Sequence, residues 1–129
     1  MAEASSSKPR PKHLDLAKIR LPMPGIVSIL HRISGAGLFL CLPLLVWLFG
    51  LSVGTPEQLE TLRAVLGNVL VKLILLGLLW AFLHHFCAGI RFLLLDMHKG
   101  IELPTARLTA GVVLAVSLGL TVVIGVFTW

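Results

Sequence analysis

Charged side chains are scarce in this sequence. Only 13% of its 129 residues are Asp, Glu, Lys or Arg, against 57% that are apolar, whereas about 25% charged residues is usual for soluble domains. The mean hydropathy is +0.95. This composition excludes an ordinary soluble domain and predicts an integral membrane protein. Long apolar runs are typical of transmembrane helices, so an all-α fold is expected.

Cysteine is also scarce. The two cysteines, Cys41 and Cys87, lie inside apolar runs and have no CxxC spacing, which excludes a disulfide framework and a cysteine-based metal site. Both are predicted to be small buried apolar residues.

Three apolar runs are long enough to cross a bilayer, for which about 20 residues suffice. They cover about 25–51, 64–95 and 108–129. The chain is therefore predicted to have a basic tail and interfacial segment at 1–24, followed by a three-helix transmembrane anchor domain at 25–129.

In the first loop, Thr55 followed by Pro56 and an acidic residue predicts the start of a short surface helix.

The distribution of charge predicts the orientation of the chain in the membrane. Ahead of the first span, five cationic residues outnumber two acidic ones, giving a net charge of +3: Lys8, Arg10, Lys12, Lys18 and Arg20 against Glu3 and Asp15. The second loop is also basic, with Lys99 and Arg107. By the positive-inside rule, the N-terminus and the second loop face the cytoplasm, and the C-terminus lies on the opposite side.

Two adjacent histidines, His84 and His85, lie deep in the apolar stretch from Val69 to Asp96, which is predicted to be one helix. Small residues share the face of His85 at four-residue spacing: Gly77, Ala81 and Gly89. His84 points about 100° away from that face. A single imidazole beside a flat cleft fits axial ligation of haem iron, although packing roles for both histidines remain open. This helix has no second histidine four residues from either one and no carboxylate nearby. A zinc site within the chain is therefore not expected.

A polar stripe opens the first span. Ser28, His31, Arg32 and Gly35 are three or four residues apart and share one helix face. Arg32 could be an interfacial anchor that reaches lipid phosphates. Its depth, about 12 Å past the Pro24 break, instead favours a pocket for a carbonyl or carboxylate group.

Three segments together resemble a known family. RPKHLDL at 10–16, SILHRISG at 28–35 and the pattern HxxxGIRxLLLD at 85–96 closely resemble the cytochrome b556 membrane-anchor subunits of succinate dehydrogenase. The resemblance extends over nearly the whole chain from residue 10. It implies a subunit of respiratory complex II in a bacterial cytoplasmic (inner) membrane, with a flavoprotein, an iron–sulfur protein and a second anchor subunit as partners. It also implies ubiquinone as substrate and one haem b held jointly by the two anchors.

The resemblance implies a role for several residues. His85 matches the axial haem ligand, and Ser28, Arg32 and Asp96 match the ubiquinone site. The cations expected at the haem propionates and edge are His31, Arg32 and Arg91. Many members of the family have histidine after GIR, where this chain has Phe92, so no propionate or proton-transfer role is expected at that position.

Four alternatives remain at this stage. His84 is a rival ligand that only the spacing to the GIR motif disfavours. The chain could anchor a fumarate reductase that uses menaquinol, or it could be a purely structural anchor without haem. A small channel or transporter component is disfavoured because the ionisable residues gather at one membrane face and the third span has none. The chain has no flavin or iron–sulfur motif, so it cannot oxidise succinate alone.

Overall fold

The computed structural model describes residues 19–129, so the first 18 residues of the tail and interfacial segment predicted at 1–24 lie outside the described residues. Within 19–129 the secondary structure is wholly helical: α1 Met23–Ser52, α2 Pro56–Leu66, α3 Val69–Asp96 and α4 Leu103–Thr128. Helices α1, α3 and α4 are long and apolar enough to cross a membrane. The all-α class with three transmembrane helices is therefore confirmed, whereas the orientation of the termini stays a prediction.

Helix α2 begins where the sequence predicts a helix in the first loop. The Thr55 hydroxyl accepts from the Gln58 backbone N–H at 3.4 Å, and the Gln58 side-chain carbonyl accepts from the Thr55 N–H at 2.9 Å. This reciprocal pair is a capping box, which satisfies two backbone donors that a helix start leaves unpaired.

The second spanning helix begins at Val69, later than the apolar run that starts at residue 64. The Asn68 side-chain oxygen accepts from the backbone N–H groups of Leu70 at 2.8 Å and Val71 at 3.4 Å. Because this cap starts a new helix, the apolar residues just before it belong to α2. Helix α4 begins earlier than predicted, at Leu103, because Pro104 fits the first turn of a helix, where its missing N–H costs little.

Helix α3 packs against both α1 and α4, and α1 also contacts α4. Leu48 and Leu51 are also buried, but the cluster of buried apolar residues in the described chain has only four members: Val27, Ala88, Ala110 and Val113. Two of these four are alanines, which allow close approach of helix backbones where lipid gives no hydrophobic driving force. Most of the remaining apolar side chains are exposed on the outside of the bundle.

The turn between α3 and α4 ends the helix with an uncommon residue. His98 has a φ of +59°, in the region that favours glycine. The His98 N–H donates to the Leu95 carbonyl and the Lys99 N–H to the Leu94 carbonyl, both at 2.9 Å. These two bonds form a Schellman motif, which satisfies carbonyl groups of the last turn of α3.

Candidate functional site

His85 of α3 lies against the polar stripe of α1. Its ring stacks on the His31 ring with centroids 4.1 Å apart and planes inclined by 6°. Its Nδ1 lies 3.0 Å from the His31 backbone oxygen and 3.3 Å from the Ser34 hydroxyl. The structure therefore brings together two of the histidines that the sequence analysis singled out, on two different helices.

The contact with the backbone determines the tautomer of the His85 ring. A carbonyl oxygen only accepts hydrogen bonds, so Nδ1 is the nitrogen that carries the proton. In the neutral ring, Nε2 then keeps an unprotonated lone pair, which is the form of imidazole that binds a metal. The ring is half-buried, and this donor set fits a single axial bond to an iron atom.

Each of these histidines lies opposite a glycine of the other helix. A Cβ on Gly35 would stand 2.7 Å from His85 Cε1, and a Cβ on Gly89 would stand 3.7 Å from His31 Nε2. A larger residue at position 35 would therefore displace the His85 ring from this position. The space beside His85 that the sequence predicts at Gly89 is taken up in part by the His31 ring.

His84 has a different environment. Its side chain is fully buried, and its ring lies 5.3 Å from the Trp80 ring, centroid to centroid. Among the described residues, the buried side-chain nitrogens and oxygens without a partner are the two ring nitrogens of His84 and Nε1 of Trp80. His84 is thus enclosed within the chain beside the Val27 backbone, whereas the His85 ring is oriented by the His31 carbonyl at 3.0 Å.

Arg91 is directed toward α4. Its Nε donates to the Thr109 hydroxyl at 3.0 Å and its Nη2 to the Ala106 carbonyl at 3.1 Å. Phe92 fills the region between Arg91 and the histidine pair, with its ring centroid 5.1 Å from that of His31 and 5.5 Å from the guanidinium carbon. The structure therefore does not join Arg91 to His31 and His85.

The residues expected at the quinone site do not contact one another as His31 and His85 do. Ser28 is half-buried and Arg32 is exposed, one helical turn further along α1. Asp96 is exposed at the last residue of α3. Between residues 19 and 129, no hydrogen bond or ion pair joins Asp96 to either of them.

Two contacting residues were not predicted. Ser34 lies three residues after His31, so helical spacing alone could have placed it on the same face. Thr109 belongs to the predicted span 108–129, which has no charged residue, and nothing in its local sequence indicated a partner for Arg91.

Comparison with known proteins gives consistent matches. A family model described as succinate dehydrogenase/fumarate reductase transmembrane subunit matches residues 6–124. The succinate dehydrogenase cytochrome b556 subunit of Coxiella burnetii is 40% identical over 121 residues, which cover 93% of this chain and 97% of that protein. The subunit of the same name from Paracoccus denitrificans is 33% identical over 113 residues, covering 88% and 87%. The mitochondrial succinate dehydrogenase cytochrome b560 subunit of Sus scrofa is 31% identical over 115 residues, covering 84% and 64%.

Proposed function

The chain belongs to the family of succinate dehydrogenase/fumarate reductase transmembrane subunits, and we propose that it is a membrane anchor of succinate:quinone oxidoreductase, complex II. In this role it binds one haem b jointly with a second anchor subunit and forms part of the ubiquinone-reduction site. The flavoprotein and iron–sulfur subunits of the complex oxidise succinate and deliver the electrons.

His85 is the proposed axial ligand from this chain. The observation that carries the proposal is the 3.0 Å contact of its Nδ1 with the His31 carbonyl, which holds Nε2 in the ligating form. Haem, when bound, supplies reversible one-electron chemistry. The chain's own contribution is to orient the imidazole, since Gly35 leaves it room and the His31 ring stacks on its face.

His31 and Arg32 are the proposed partners of the haem propionates. The His31 ring stacks on His85, and Arg32, the next residue of α1, is exposed. Arg91 is omitted from this set because its guanidinium already bonds to α4.

Quinone is proposed to bind at the same end of α1. The Ser28 hydroxyl donates to one quinone carbonyl oxygen, and the Arg32 guanidinium stabilises the negative charge that develops there on reduction. The exposed Asp96 carboxyl is proposed to lie near this site, at the aqueous end of α3.

The ligand assignment is tested by a reduced-minus-oxidised optical spectrum of the complex, isolated in mild detergent through a tag on this chain. The wild-type complex should show a low-spin b-type signal that succinate reduces. His85→Ala should abolish or shift that signal, while the other subunits still co-purify. An unchanged six-coordinate spectrum in His85→Ala would refute the assignment, and an assembled wild-type complex without any haem signal would indicate a structural anchor.

The quinone assignment is tested by steady-state kinetics of Ser28→Ala and Arg32→Ala. Loss of one preorganised donor should lower quinone reduction about tenfold or more, while succinate oxidation with an artificial acceptor is unchanged. Ile33→Ala is the control, since Ile33 is 61% exposed on the same helix and carries no polar group. Unchanged quinone kinetics in an assembled complex would contradict the assignment. Faster turnover with menaquinol and fumarate would instead favour a fumarate reductase anchor.

The chain is a multi-pass membrane protein. We propose the bacterial cytoplasmic (inner) membrane as its location, with the N-terminus in the cytoplasm. The basic N-terminal segment and the basic second loop support this orientation.

A further inference from the structure

A groove of about 430 Å³ lies between α3 and α4, near the turn that joins them. Its walls are mostly apolar: Cys87, Ile90, Leu94, Leu108, Val112 and Val113. Leu108 and Val112 are 69% and 52% exposed, so the groove opens sideways from the bundle. In a membrane this opening faces hydrocarbon or a neighbouring subunit.

Two cations line this groove and no acidic side chain does. Arg91 is only 6% exposed, and its hydrogen bonds go to a hydroxyl and a backbone carbonyl, both neutral. Lys99 is exposed in the turn that follows α3. A buried cation without an acidic partner is costly unless an anion lies nearby. The groove therefore combines an apolar channel with an unmatched positive end.

We propose that this groove binds an anionic phospholipid, with one acyl chain along the apolar wall and the phosphate at Lys99. The position of Lys99 supports this, because the turn after a spanning helix lies at the level of the lipid headgroups. Arg91 contributes its positive charge from the floor of the groove. A neutral side chain of a second subunit would fill the apolar part equally well but would leave both cations unmatched.

The charge requirement is tested with the intact complex, stripped of lipid in detergent and titrated with phosphatidylglycerol while thermal unfolding is recorded. Lys99→Gln should need about fivefold more lipid to give the same rise in melting temperature, since one headgroup-level cation is removed. Arg107→Gln is the matched control, because Arg107 is exposed at the same end of the bundle but does not line the groove. Equal titrations for wild type and Lys99→Gln, or an equal response to phosphatidylethanolamine, would overturn the proposal.

The groove itself is tested with Val112→Trp, in which a large ring fills the apolar channel. Native mass spectrometry of this variant should show about one fewer retained anionic phospholipid per complex. Val116→Trp is the control, since Val116 lies one turn further along α4, is 43% exposed and does not line the groove. Loss of lipid in both variants, or in neither, would contradict the proposal.

A photoreactive amino acid at position 108 distinguishes the two possible occupants directly. Cross-linking to phospholipid in the assembled complex supports the proposal. Cross-linking to the second anchor subunit instead would show that protein covers the groove and would overturn it. None of these outcomes depends on the haem or quinone assignments, which have separate spectral and kinetic readouts.

Discussion

Gly35 determines whether the His85 ring can keep its position. A Cβ at this residue would lie 2.7 Å from Cε1 and 3.2 Å from Nδ1 of the ring, closer than atoms in van der Waals contact. In Gly35→Ala the ring must move, and the bond from Nδ1 to the His31 carbonyl weakens. We expect the haem absorption of the assembled complex to diminish or shift.

Gly37→Ala is the matched control for that substitution, because nothing lies within 4 Å of a Cβ at position 37. It should leave the spectrum of the complex unchanged. If Gly35→Ala and Gly37→Ala gave the same wild-type spectrum, the role of Gly35 in placing His85 would be refuted.

Substitution of His84 is expected to leave the haem spectrum unchanged, in contrast to Gly35→Ala. Its two ring nitrogens are buried without a partner among the residues described, and such groups cost about 1–3 kcal/mol. His84→Leu should therefore leave the melting temperature of the complex unchanged or raise it, and the haem spectrum should persist. Loss of the haem signal in His84→Leu would make His84, rather than His85, the ligand.

The sequence was informative about these residues only in part. Spacing placed His84 and His85 on different faces of one helix, which the structure confirms. The spacing could not show which of these two faces packs against α1 and which one lies in the core, because the rotation of a helix about its axis depends on all of its neighbours. For the same reason Arg91, expected with the histidines, bonds to Thr109 of α4 instead.

At the scale of the elements, the helix that carries both histidines has the bounds expected for the stretch Val69–Asp96. The apolar run that contains this helix is predicted to begin at residue 64, whereas α3 begins at Val69. Apolar composition alone does not indicate where α2 ends. The signal for the break is the pair Gly67 and Asn68, a residue that ends helices followed by one that caps them.

Asn68 should therefore contribute to stability through the start of α3. Asn68→Ala removes the acceptor for two backbone N–H groups and should lower the free energy of unfolding by about 1 kcal/mol. Asn68→Asp keeps the acceptor and should be close to wild type. Thermal unfolding of the complex in detergent measures both, and equal losses in the two variants would argue against a capping role.

The whole molecule has far more apolar surface than its own helices can cover. Phe39, Leu40, Val126 and Phe127 are 74%, 76%, 74% and 86% exposed, whereas only six apolar residues between 19 and 129 are buried. Most of its apolar surface is therefore left for lipid or other proteins to cover.

The orientation of the molecule can be tested with reporter fusions in a bacterial host. Alkaline phosphatase fused after Trp129 should be active, because the C-terminus is predicted to lie outside the cytoplasm. The same enzyme fused after Gly100, in the turn between α3 and α4, should be inactive, and a fluorescent protein should show the reverse pattern. Activity after Gly100 but not after Trp129 would invert the proposed topology.

The contacts of Gly35 with His85 and of Gly89 with His31 also limit how far α1 can slide along α3. Moving α1 by one turn, about 5.4 Å, would place either Phe39 or His31 where Gly35 now faces the His85 ring. Neither position leaves the space that the ring requires. The depth of the imidazole in the bilayer is therefore set in large part by the single missing methyl group of Gly35.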